Sequence, residues 1–153
     1  MKSEMREGDF KKAVKEANMF RNAANLCRED SKDGGFFFDC IHPLTINAAL
    51  ASEIYLKAIS IAENEGRFCA THKLQDLFDC LSYDAKNVIK RDFESCMSTP
   101  LDKVLQLDNA AFLEWRYTFE INDNKKSAVL DIYGLLTLVD CLKRYVNSLE
   151  GMV

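Results

Sequence analysis

One long apolar stretch of this sequence holds three polar side chains, Asn47, Glu53 and Lys57. Burying a charge without a partner is costly, so each of these groups needs a neighbour. Glu53 and Lys57 stand four residues apart in the order that favours an ion pair on a helix. They read first as an internal network that locks helix packing, with a polar pocket as the functional alternative. Further along, Trp115-Arg116-Tyr117 precedes Glu120. An arginine among aromatics can hold a phosphate or stack on a base, or it can pair with Glu120 or Glu53. His72 is a candidate acid or base, and such a residue also serves to cap or pack a helix end.

Two short Cys/His pairs, Cys40-Ile41-His42 and Cys69-Ala70-Thr71-His72, raise the question of zinc. Neither spacing matches a strong zinc signature, and each cysteine also reads as a core thiol, so no metal site is assigned. No glycine-rich phosphate loop, nucleophile elbow or paired-histidine metal helix is present in the sequence. No cofactor is implied.

These residues must be positioned by helices. The chain has 153 residues, 48% of them hydrophobic, with only 6 glycines and 2 prolines. That length can bury a core, and the scarcity of turn residues favours long helices over a many-stranded sheet. The first helix is expected over 9–29, with Asp9 as its cap and Phe10, Ala13, Ala17, Phe20, Ala24 and Cys27 inward. Lys11, Lys12, Lys15 and Arg28 read as a solvated face. Segment 31–41, with Gly34-Gly35 and Phe36-Phe37-Phe38, reads as a loop folded back on the bundle.

The second helix is expected over 43–65, opened by Pro43, closed by Gly66 and apolar nearly all round, hence central. A short third helix spans 71–81, with His72 at its start and Leu74, Leu77, Phe78 and Leu81 inward. A fourth spans 83–97, capped by Ser82, burying Val88, Ile89, Phe93 and Cys96. A fifth spans 100–120, opened by Thr99-Pro100, with Leu101, Val104, Leu105, Ala111, Phe112, Trp115 and Phe119 as its stripe. A polar turn over 122–126 and Ser127 lead into a sixth over 127–149. Its apolar repeat at Ile132, Leu135, Val139, Leu142, Val146 and Leu149 is either core or a dimer seam.

The formal net charge is −4, with 20 basic and 24 acidic residues. General nucleic-acid binders carry a basic excess, so any RNA contact here must be local. The polar start reads as no secretory signal, and no apolar run reads as long enough to span a membrane. The six cysteines show no tight pair in sequence and read as reduced core thiols of a cytoplasmic protein.

Three blocks together resemble the HEPN family, the higher-eukaryote and prokaryote nucleotide-binding helical bundles. Pro43 to Ala58, with Glu53 followed by Leu56-Lys57-Ala58, is similar to the family's central helix. Thr71-His72-Lys73-Leu74-Gln75-Asp76-Leu77 is similar to its His-x-Leu-x-x-Leu helix. Phe112 to Glu120, with Arg116-Tyr117, is similar to its Arg-Tyr segment. The resemblance covers roughly Leu44 to Leu149, and its specificity lies in the conjunction of the blocks.

The resemblance implies an all-α, up-and-down bundle of about six helices, commonly a homodimer. Many members are metal-independent ribonucleases of toxin–antitoxin, CRISPR and phage-defence systems, with an Arg followed after four to six residues by a His. Here Ile121, Asn122 and Asp123 occupy the positions after Arg116 where that His belongs. Arg67 and His72 meet the spacing, but across a turn and earlier than the family places its motif. The expectation is therefore a non-catalytic module binding a nucleotide, RNA or a protein partner. A ribonuclease using Arg67 and His72, or Arg116 with another acid–base group, is the first alternative. A purely structural dimerisation domain is the second. The expected site gathers Arg116, Tyr117 and Glu120 against Glu53, Lys57 or His72, with Asn47 nearby.

Overall fold

The computed structural model describes residues 4–30, 40–106 and 132–152. The protein is an all-α helical bundle, with one very small sheet among the described residues. In chain order it has β1 (Met5–Glu7), α1 (Phe10–Asp30), α2 (Ile41–Glu63), β2 (Arg67–Cys69), α3 (Leu74–Asp79) and α4 (Tyr83–Cys96). Helical residues 101–106 form the described part of α5. The helix α6 covers Ile132–Glu150.

The central position belongs to α2. It packs against α1, α6, α3 and β2, and α4 packs against α6. Leu44, Ala48, Ala51, Tyr55, Leu56, Ala58 and Ile59 of α2 are wholly buried. Each large apolar side chain so buried contributes about 1.5–3 kcal/mol. Two buried hydroxyls on this helix are satisfied within it: Thr45 Oγ1 donates to the Ile41 carbonyl and Ser52 Oγ to that of Ala48. The helix is long and apolar enough to cross a membrane by length and composition, contrary to the sequence reading. Its apolar window is 72% buried inside the protein, as a core helix requires.

Several expected boundaries shift for local reasons. Asp9 caps α1 as expected, accepting from the Lys12 N–H at 2.9 Å. Helix α2 begins at Ile41, so Pro43 is the third helical residue, where a missing N–H still costs no hydrogen bond. It ends at Glu63, with Asn64 at the cap. The left-handed residue that closes it is Glu65 (φ 53°), followed by Gly66 (φ 86°), whose N–H reaches back to the Ile61 carbonyl at 3.0 Å. That bond is the long closure of a Schellman-type end. The sequence places the cap at Gly66, which instead sits one residue beyond the closing position.

The strands β1 and β2 were not foreseen. They pair antiparallel, with Met5 opposite Cys69, Arg6 opposite Phe68 and Glu7 opposite Arg67. Flanking bonds from Gly8 N–H to Gly66 O (2.8 Å) and Ala70 N–H to Glu4 O (2.7 Å) lengthen the clamp. The expected third helix is shorter than 71–81, because 67–69 are strand and α3 starts at Leu74.

Leu74, Leu77, Phe78 and Leu81 are buried, as expected. Ser82 caps α4, accepting from the Ala85 N–H, and its own N–H and hydroxyl donate to Glu63 at the end of α2. On α4, Ala85, Ile89 and Phe93 are buried, but Val88 is 52% exposed and Cys96 is exposed too. Val88 lies about 100° around the helix from Ile89, off the inward stripe. Pro100 precedes the helical residues 101–106 rather than opening them. Leu101, Val104 and Leu105 are buried, and α6 buries Ile132, Leu135, Val139, Leu142 and Val146. That repeat is therefore core within one chain. The expected stretch 107–120, the turn 122–126 and the Ser127 cap lie outside the described residues, as do 31–39 of the expected loop.

Candidate functional site

Three residues named from the sequence meet at one place. Glu53 projects from the middle of α2, and Lys57 follows one turn later. Lys57 Nζ donates to Glu53 Oε1 at 2.7 Å. The same oxygen stands 2.8 Å from His72 Nδ1. The Glu53 side chain is 9% exposed, that of Lys57 16% and that of His72 82%. A buried carboxylate thus carries one half-sheltered cation and one imidazole that faces solvent.

The fold explains why these groups meet. The short turn after α2 brings β2 back along the helix that precedes it, and β1 pins β2 in place. The chain then runs without helix from Ala70 to Lys73, which lays His72 over Glu53. Phe68, in the middle of β2, puts its ring centroid 5.6 Å from Lys57 Nζ. An ammonium at that range is attracted to the ring face. Ser60, one turn beyond Lys57, donates from Oγ to the Arg67 carbonyl at 3.4 Å and accepts from the Asn64 amide.

An ionised carboxylate has no proton to give, so His72 donates from Nδ1 to Glu53. Nε2 is then the ring nitrogen that Glu53 does not engage, on a side chain 82% exposed. In the neutral ring Nε2 is a base and an acceptor. In the charged ring it is a donor suited to a phosphate oxygen. Holding one ring nitrogen fixes the orientation and tautomer of the other, the same logic by which a buried carboxylate serves an active-site histidine.

The remaining candidates fall differently. Asn47 is half-buried on α2, and no hydrogen bond ties it to the cluster among the described residues. Arg67 is exposed, and no hydrogen bond joins it to His72. Arg116, Tyr117 and Glu120 lie outside the described residues. His72 is not at a helix start, as read from the sequence, but two residues before α3. Among the described residues no group of three or more His, Cys, Asp or Glu is arranged to hold a metal ion.

Lys11, Lys12, Lys15 and Arg28 are exposed, as read. Lys11 and Lys15 also line an open groove of about 560 Å³ with Asn18, Asn22, Met19 and Glu150.

The cysteines depart furthest from expectation. Cys69 and Cys141 are buried, but Cys80 and Cys96 are exposed. Cys69 and Cys80 also form a tight pair, with sulfurs 2.9 Å apart. No spacing rule joins a strand cysteine to one eleven residues later, so only the turn between them reveals it.

No protein-family model matches the chain, and no curated protein or solved structure does either.

Proposed function

We propose that this chain is a HEPN-like helical module that binds a phosphate-bearing ligand, a nucleotide or an RNA end, without cleaving it. The observation that carries the proposal is the anchored imidazole, with His72 Nδ1 on a buried carboxylate and 82% of the side chain in solvent. A ring held that way offers Nε2 to an approaching phosphate oxygen at little further entropic cost. Lys57 beside it adds positive charge over the same carboxylate. The acidic net charge of −4 limits such binding to this local patch. Arg116, in the block similar to the family's Arg-Tyr segment, is the second phosphate contact in this proposal. A homodimer is the assembly it assumes, and prokaryotic defence or toxin–antitoxin biology is the setting the resemblance suggests.

The same anchoring favours one rival, a metal-independent ribonuclease in which Nε2 takes the ribose 2′-hydroxyl proton. Such a reaction also needs a cation on the phosphate, and the exposed Arg67 is the candidate for it. The deciding experiment incubates the purified chain with a mixed RNA pool in EDTA, beside His72→Ala and Arg116→Ala. The proposal expects no cleavage, and salt-sensitive binding weakened in both variants. Cleavage abolished by His72→Ala in a folded protein would replace it with the ribonuclease. Neither cleavage nor binding would leave a protein partner or a purely structural dimerisation role.

A further inference from the structure

Two thiols outside the Glu53 cluster stand in a relationship that core packing does not require. Cys69 ends β2, and Cys80 is the residue that closes α3. Their sulfurs are 2.9 Å apart, and both cysteines are free. A disulfide bond is about 2.0 Å long, so the two atoms need close by less than about 1 Å to bond. Both ends are already fixed. Cys69 is held by strand pairing opposite Met5, and the Cys80 N–H donates to the Asp76 carbonyl at 3.2 Å. Cys69 is buried and Cys80 is exposed, so an oxidant in solvent meets Cys80 first.

We propose that Cys69 and Cys80 form a reversible disulfide under a peroxide oxidant, closing the loop that carries His72. The Cys80 thiolate attacks one peroxide oxygen and the O–O bond breaks. One water leaves, taking up the proton that the Cys80 thiol released and one from the peroxide, and Cys80 becomes a sulfenic acid. Cys69 sulfur then attacks Cys80 sulfur. The S–O bond breaks, and the hydroxyl leaves as a second water with the proton of Cys69. Two thiols and one hydrogen peroxide give one disulfide and two waters, and the sulfurs' two electrons reduce the peroxide. A dithiol in solvent reverses the reaction at the exposed Cys80 sulfur.

Partial desolvation, with the hydrogen bond to Cys69, pushes the thiol of the exposed Cys80 up to about 11. Little thiolate is present near neutral pH, so the switch answers sustained oxidant rather than a brief pulse. Segment 70–79, with His72 within it, becomes a ring closed by a covalent bond. Such closure removes freedom from the unfolded chain more than from the folded one. The inference is independent of any ligand at His72.

The test treats the full chain with hydrogen peroxide, alkylates the remaining thiols and maps peptides without reduction. The expected product is a Cys69–Cys80 link with the loss of two hydrogens, restored to two thiols by dithiothreitol. Oxidation should also raise Tm by several degrees in the native sequence and not in Cys80→Ser, whose exposed site tolerates the change. Peptides in which Cys69 and Cys80 are both alkylated would overturn the proposal. So would oxidation that stops at a sulfinic acid on Cys80, or a link from either residue to another cysteine.

Discussion

His72, between β2 and α3, is nineteen residues from Glu53 on α2, yet its Nδ1 lies 2.8 Å from Glu53 Oε1. Their exposures are opposite, with 9% of the Glu53 side chain and 82% of the His72 side chain open to solvent. The carboxylate is a fixture of the core helix, and the imidazole rests on it from outside. This asymmetry separates what the pair does for stability from what it does for a ligand.

Replacing Glu53 by Ala should destabilise the fold by about 2–4 kcal/mol, because Lys57 is left sheltered without its partner. Lys57→Met in the Glu53→Ala background should recover part of that loss, as a well-packed apolar pair replaces a broken ionic one. His72→Ala should cost less than about 0.5 kcal/mol, since an exposed partner adds little. Urea unfolding of the three variants measures all of this. A His72→Ala loss as large as that of Glu53→Ala would mean the ring is structural, and its use as a ligand contact would lose its basis.

Glu53 with Lys57 was legible because a helix turns a spacing of four into a contact. His72 was legible as a candidate but not in its place, since its position depends on β2 doubling back after Gly66. Two three-residue strands carry too little alternation to be read, and Met5 and Cys69 lie 64 positions apart in the chain. The stripe on α4 failed at Val88 and succeeded at Ile89, because apolar type does not decide between adjacent faces. Ala85, small and easily overlooked, is wholly buried on the same stripe, as is Phe93. Arg116, Tyr117 and Glu120 remain expectations drawn from the sequence.

Gly134→Ala sets two effects against each other. Alanine in a helix is favoured over glycine by about 1 kcal/mol. A Cβ at Gly134 would stand 2.8 Å from Val104 Cγ2, and Val104 is fully buried and stiff about its first torsion. Overpacking of this kind costs about 1–3 kcal/mol, so the net change should be a loss. Val104→Ala costs stability alone, but combined with Gly134→Ala it should cost less than the sum of the two. A double-mutant cycle by chemical denaturation reads that coupling. Additive losses would show that α5 and α6 yield here without strain.

Ser82→Ala tests the joint between α2 and α4. The change removes the cap on the Ala85 N–H and the hydroxyl bond to Glu63 Oε1, while the Ser82 N–H bond to Glu63 Oε2 survives. Loss of one cap is worth about 1 kcal/mol. Asn at the same position should restore most of it, as an equally good cap. A Ser82→Asn variant no better than Ser82→Ala would assign the stability to the Glu63 bond instead.

Alkaline pH should unfold this protein through groups that burial keeps protonated. Burial pushes the Tyr55 hydroxyl from 10.0 up to about 12, with nearby Asp140 and Glu150 adding to the shift and Arg21 opposing it. Burial pushes Cys141 from 9.0 up to about 12, with the Asp92 charge adding and Arg144 opposing. Tyr55 is fully buried and donates its hydroxyl proton to Asn18 Oδ1. Above each ordinary value the unfolded chain releases a proton that the folded chain retains. The unfolded state then binds fewer protons, and stability falls as pH rises. The contribution of Cys141 is intact below about 9 and is lost through 12, and that of Tyr55 is intact below 10 and is lost through 12. Urea midpoints taken across this range should stay level to near pH 8.5 and then decline. Cys141→Ala should flatten the earlier part of the decline, and Tyr55→Phe the later part. Midpoints in Cys141→Ala that fall as early and as steeply as in the native sequence would exclude the buried thiol as the source.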